Sequence, residues 1–181
     1  TIVGPAADRN RIPDLDETVG EGDAYRFGSQ EVRVFETPGH TNGHISLWFP
    51  EASALFSGDT LFALGCGRLF EGTPAQMWHS LLKLRDLPPD TQVFCGHEYT
   101  LSNAKFAVTV DPNNSVLKER AADIAVLRDS GKPTIPTTLG AERATNPFLR
   151  ADDADVAAAV GLAGADPVEV FAEIRRRKDT F

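Results

Sequence analysis

At His97 the chain changes texture, and that change constrains its fold more than any other feature. Upstream, segments rich in β-branched and aromatic residues recur at Ala24 to Phe27, Glu31 to Glu36, His44 to Phe49, Ala54 to Ser57 and Thr91 to Cys95. Each reads as a strand. Gly28-Ser29 and Glu51-Ala52-Ser53 read as the turns between neighbours. One helix interrupts them: Thr73 is placed to cap it, Pro74 opens it, and Met77, Trp78, Leu81 and Leu84 recur along one side before Pro88-Pro89. Downstream of His97 the periodicity is helical at Ser102 to Val110, Asn114 to Ser130 closed by Gly131, Asp152 to Val160, and Asp166 to Lys178. No strand is expected there. Lys132 to Arg150, rich in Pro, Thr and Gly, reads as a long loop wrapped over a neighbouring surface. The reading is an α/β (α+β) layer over residues 1–97 followed by a helical domain over residues 98–181.

Composition narrows the function. Asp and Glu number 26 against 18 Lys and Arg, a net charge of −8 that opposes general attraction to nucleic acid or anionic lipid. A small uncharged or locally clamped ligand is the expected partner. No apolar run approaches the ~18 residues of a membrane span, and the start carries no signal-peptide pattern. Cys66 and Cys95 are too few for a disulfide framework and lack metal-pair spacing, which suits a reducing compartment, with the cytoplasm as the default. The chain opens Thr1-Ile2-Val3-Gly4 without an initiator Met, in what reads as a short strand running into a turn, so an upstream portion is expected.

Three segments place a metal-capable side chain where a strand gives way to a loop. They are Thr37-Pro38-Gly39-His40-Thr41-Asn42-Gly43-His44, Phe56-Ser57-Gly58-Asp59-Thr60, and Cys95-Gly96-His97-Glu98-Tyr99. A Gly directly before His40, Asp59 and His97 suits a sharp turn or the close approach of a ligand. Any one such pair is ordinarily only a turn. Together they assemble two imidazoles and a carboxylate, donors that suit zinc or iron, and a carboxylate has two oxygens with which to bridge a pair of ions. His44 reads as opening the next strand and donating a supporting hydrogen bond, and His79 as a solvated helix position.

These segments resemble the hydroxyacylglutathione hydrolases, or glyoxalase II, within the metallo-β-lactamase superfamily. Thr37 to Ile45, Ser57 to Phe62, Cys66 to Thr73 and Cys95 to Thr100 are each similar to a family segment. The likeness continues through Asn146-Pro147-Phe148-Leu149-Arg150 to Arg175-Arg176-Arg177-Lys178-Asp179. It implies a metallo-β-lactamase-type αββα sandwich, incomplete at its N-terminal side, over residues 1–97, and a helical glutathione-thioesterase domain over residues 98–181.

The same resemblance implies two divalent metal ions per complete site, zinc first with iron or manganese as alternatives. His40 would bind one ion, His97 the other, and Asp59 would bridge both and position the hydroxide that attacks a thioester carbonyl. Cys66 and Cys95 are then small packing residues. Arg68, Leu69, Phe70, Tyr99, Arg175 and Lys178 would contact glutathione, whose carboxylates suit arginine. By pattern alone, Arg175 to Lys178 is simply a cationic last turn favoured by its helix dipole. The implied reaction is cleavage of S-lactoylglutathione to glutathione and a 2-hydroxy carboxylate, by a cytoplasmic monomer with no nucleic-acid or membrane partner. The family's upstream Thr-His-x-His-x-Asp-His run, which supplies two ligands to each metal, has no counterpart here, since the first histidine is His40. The stretch is therefore expected to be the downstream part of a longer chain, holding metal weakly alone. An iron persulfide dioxygenase on the same sheet and a noncatalytic binding piece are the alternatives.

Overall fold

The computed structural model describes residues 1–181. A short parallel pair, β1 (Val3–Pro5) with β2 (Glu17–Val19), precedes the main sheet. That sheet comprises β3 (Ala24–Phe27), β4 (Gln30–Glu36), β5 (Ile45–Phe49), β6 (Ala54–Gly58), β9 (Gln92–Cys95) and β10 (Thr137–Thr138). Their spatial order is β10-β9-β6-β5-β4-β3. Between β6 and β9 lie the hairpin β7 (Leu61–Phe62) with β8 (Gly65–Cys66) and helix α1 (Pro74–Arg85). Beyond β9 come α2 (Thr100–Val110), α3 (Ser115–Asp129), α4 (Leu139–Thr145), α5 (Ala154–Ala159) and α6 (Pro167–Thr180).

Pairing direction determines where the ligand-bearing loops meet. β4, β5 and β6 pair antiparallel in turn, and β6 pairs parallel with β9. β4, β6 and β9 therefore run the same way, and the loops after them emerge along one edge of the sheet. His40, Asp59 and His97 lie in those loops.

One sheet face sends Leu55 and Val93, with Phe35 and Trp48 beside them, into a core shared with Met77, Trp78, Leu81 and Leu84 of α1. Phe106, Phe148, Phe171 and Ile174, all from beyond residue 97, complete the same core. The two stretches read from sequence thus pack as one interior, with the burial of these side chains as the main stabilising contribution. The opposite face is covered only in part, with Val32 and Val34 buried and Phe27 exposed. There Val32, Val34, Ile45 and Leu47 line an apolar groove of about 250 Å³, with Val3 and Val19 over part of it. Phe27, Phe49, Phe56 and Phe94 form a row of ring contacts, with Phe27 and Phe56 exposed. Of the expected αββα sandwich, these residues form one sheet and its helical layer.

Local chemistry sets the helix starts. Thr73 Oγ1 accepts from the Gln76 N–H while the Gln76 side chain accepts from the Thr73 N–H, a capping box with Pro74 in the first turn. Asn114, Asp153 and Asp166 cap α3, α5 and α6.

Two expectations for the downstream part require correction. A strand does occur there, because the β-branched pair Thr137-Thr138 adds antiparallel to Val93 and Gln92. Lys132 to Arg150 is not a loop, since Thr138 caps α4 and Pro147–Leu149 form a 3-10 turn. A two-residue strand and a seven-residue helix are too short to show a period. No helix is long and apolar enough to cross a membrane.

Candidate metal centre and its cleft

Two glycines are required by the space around the donors. Gly58 has φ +51°, and a Cβ there would stand 2.5 Å from His44 Nε2. A Cβ on Gly96 would stand 2.5 Å from Asp59 Oδ1. The chain turns sharply before Asp59 and passes close beside its carboxylate before His97.

Both imidazoles meet one oxygen. His40 Nε2 and His97 Nε2 each lie 3.4 Å from Asp59 Oδ2. His40 Nδ1 donates to the Arg68 carbonyl at 2.8 Å, so in the neutral ring the lone pair lies on Nε2. That lone pair faces the Asp59 carboxylate oxygen, a pairing that a shared cation would relieve. An N–H held on a backbone carbonyl is also how metal-binding imidazoles are oriented, and two donors each ~2.1 Å from a tetrahedral ion lie about 3.4 Å apart. The donor set fits a divalent cation on these grounds. It does not enclose one: no group of three or more His, Cys, Asp or Glu side chains forms a metal-holding cluster. Each ion would find one imidazole and the shared Asp59 carboxylate among these residues.

His44 supports the site through both ring nitrogens. Its Nε2 accepts from the Asp59 backbone N–H at 3.0 Å. Its Nδ1 then donates toward the hydroxyls of Thr37 and Thr60, at 2.8 and 3.0 Å. Burial pushes the His44 pKa down, against a smaller upward pull from Asp59, which favours this neutral, accepting ring. His79 is exposed on α1, its Nδ1 bonded to the Ala75 carbonyl.

The donors open into a cleft of about 600 Å³. Tyr99 stacks on His97 with ring centroids 4.8 Å apart, Phe62 meets both rings edge-on, and Phe70 lies 4.8 Å from His40. Arg68, Arg175 and Lys178 also line it. Leu69 lies outside the cleft, packed against the main core. Lys178 Nζ donates to the Ser102 carbonyl and hydroxyl at 3.2 and 3.3 Å and sits over the Phe106 and Phe181 rings, and burial lowers its pKa. Arg175 is almost fully buried, donating to the Cys66 carbonyl at 3.0 Å and lying over Phe148. Burial pushes the Cys66 thiol up to about 11.

Phe62, Ser102, Asn103, Asp179 and Phe181 also line the cleft without having been singled out from sequence. Asp179 alone left a signal, standing four residues after Arg175 on a helical face. The hairpin that carries Phe62 is held from the helical side. Glu142, wholly buried, accepts from the Leu64 N–H at 2.8 Å, where φ is +57°, and Asn103 and Asn146 donate to the Ala63, Phe62 and Gly65 carbonyls.

Comparison with known proteins identifies the family. A family model described as Hydroxyacylglutathione hydrolase C-terminus matches residues 98–181, and one described as Metallo-beta-lactamase superfamily matches residues 3–97. The chain is 59% identical over 180 residues to a hydroxyacylglutathione hydrolase of Rhodospirillum rubrum, covering 99% of this chain and 70% of that protein. The chain belongs to the hydroxyacylglutathione hydrolase family. A second relative of that name, from Methylococcus capsulatus, is 55% identical over 100% of this chain and 71% of its own length. Among solved structures, ETHE1 from Myxococcus xanthus superposes with a TM-score of 0.62 at 26% identity, covering 97% of this chain and 57% of that one. The BLEG-1 B3 metallo-beta-lactamase, at 23% identity and a TM-score of 0.57 over 81% of this chain and 64% of that one, shares the fold.

Proposed function

We propose that these residues form part of the active site of a metal-dependent hydrolase that cleaves S-2-hydroxyacylglutathione thioesters, S-lactoylglutathione first among them. The observation that carries this reading is the convergence of His40 and His97 on Asp59 Oδ2 inside a cleft that also presents Arg68, Arg175 and Lys178. His40 and His97 would each hold one divalent cation and Asp59 would bridge the two, with further donors supplied from outside these residues. The chemistry supplied by such cations is activation of water near neutral pH and polarisation of the thioester carbonyl. Zinc suits the imidazole and carboxylate donors, and iron or manganese would be accepted by them as well.

The protein's own residues orient both partners. His44 fixes the Asp59 backbone, and the Arg68 carbonyl fixes the His40 ring. Tyr99, Phe62 and Phe70 flank the imidazoles with ring faces and edges and offer apolar surface to the ligand. The cations face a ligand that carries carboxylates, and Tyr99 and Phe70 pack on its peptide. A monomeric cytoplasmic enzyme without a nucleic-acid partner completes the proposal, in keeping with the net charge of −8. The match of residues 98–181 to the hydrolase C-terminal family supports thioester hydrolysis over persulfide oxidation. The test is S-lactoylglutathione hydrolysis by the complete protein before and after removal of metal with a chelator. Activity lost on chelation and restored by zinc, iron or manganese is expected, and activity indifferent to chelation would reject the reading.

A further inference from the structure

Two of the three cations proposed to hold the ligand, Arg68 and Arg175, are already paired, and the group that pairs them is a carboxylate of the same chain. Asp179 Oδ1 lies 2.9 Å from Arg175 Nη2 and 3.3 Å from Arg68 Nε. It therefore joins a buried guanidinium, with 8% of its side chain exposed, to one that is 57% exposed. Arg175 Nη1 is committed to the Cys66 carbonyl, while its Nε is buried without a partner. A cation so deeply placed needs a nearby negative charge, because an unpaired one is strongly destabilising. Asp179 meets that need from one turn along α6, close to the helix end, and is itself 35% exposed.

We propose that Asp179 is a resident counter-ion that occupies the place of a ligand carboxylate and must be displaced when the anionic ligand binds. This rests on reading the cleft as a glutathione thioester site. Binding then exchanges one carboxylate for another, and the net gain is the difference between two ion pairs. Asp179 damps affinity for any small carboxylate and favours ligands whose remaining atoms also engage the cleft, a discrimination by competition. It also eases departure of the glutathione product, since the leaving carboxylate is replaced on the same two arginines.

The test is calorimetric titration of the complete protein with S-methylglutathione, an unreactive thioether that requires no metal chemistry. Asp179→Asn keeps the side-chain shape and removes the charge. It should tighten binding about tenfold, steepen its loss with added salt, lower the melting temperature of the free protein and enlarge the rise in melting temperature caused by ligand. Equal or weaker binding by Asp179→Asn overturns the counter-ion role while leaving the thioester reading in place. Binding by neither protein overturns both. Binding by Asp179→Asn alone supports the inference in its strongest form. A measurement on the unsubstituted complete protein covers failure of the variant to fold: converting both ligand carboxylates to amides should weaken binding by less than about fivefold, and a larger loss overturns the proposal.

Discussion

Asp59 and Arg175 line one cleft and are held there in different ways. Asp59 is fixed through its backbone, by the turn at Gly58 and the acceptor nitrogen of His44, so its carboxylate is left facing two imidazoles. Arg175 is fixed through its functional atoms, by the Cys66 carbonyl, Asp179 and the Phe148 ring. A donor held by its backbone keeps its side chain for a ligand. A cation held by its own donors stabilises the fold with the same atoms that would bind. Substituting the first should therefore change chemistry alone, and substituting the second should change chemistry and stability together.

The largest effect is expected from Asp59→Ala in the complete protein. Losing the oxygen that both imidazoles share should remove bound metal and reduce thioester hydrolysis by about a thousandfold or more, with the far-ultraviolet circular dichroism unchanged. Metal content and turnover check this together, and a variant that retained metal and rate would remove the bridging role. Glu142→Ala tests the opposite extreme, a carboxylate outside the cleft with a purely supporting part. It would leave the Leu64 N–H, the Arg120 guanidinium and the Asn146 amide without their shared acceptor. A loss of about 3–5 kcal/mol in denaturant unfolding is expected. A loss below about 1 kcal/mol would show that the hairpin is held by other contacts.

Arg175→Ala should fall between the two, raising KM and lowering stability by about 2 kcal/mol, whereas Lys178→Ala should raise KM with a stability change under about 1 kcal/mol. Steady-state kinetics and melting curves on both variants would show the contrast, and equal melting temperatures would dissolve it. The smallest effect concerns Cys66, whose thiol is pushed up to about 11 by burial. The thiolate is the reactive form, so at pH 8 only about one thiol in a thousand is reactive. Iodoacetamide should leave Cys66 unmodified in the native protein and label it after unfolding, as peptide mass spectrometry would show.

Periodicity made much of this architecture legible. The β-branched and aromatic run Glu31 to Glu36 corresponds to β4 within a residue, the helix opened by Pro74 and expected to end before Pro88 is α1 ending at Arg85, and the caps at Thr73, Asn114 and Asp166 form as their side-chain chemistry requires. The meeting of His40, Asp59 and His97 was legible because three segments each place one of them after a Gly where a strand gives way to a loop, although any one such pair is ordinarily only a turn. What was hidden depends on contacts between residues distant in the chain. Glu142 bonds to Leu64, 78 positions away, and nothing near Glu142 announces it. Leu69 turns into the core beside two residues that face the cleft. Asp179 looked like part of a charged helix end because its second partner, Arg68, comes from another element.

In the proposed reading His40, Asp59 and His97 are one part of a two-metal hydrolytic site. Its most direct test is to measure S-lactoylglutathione hydrolysis and bound metal side by side, on the 181-residue chain and on the complete reading frame that encodes it. The predicted result is about two ions per molecule with turnover in the complete protein, and weak metal binding with little turnover in the 181 residues alone. A complete protein that binds no metal, or that hydrolyses the thioester equally well without it, would contradict the claim.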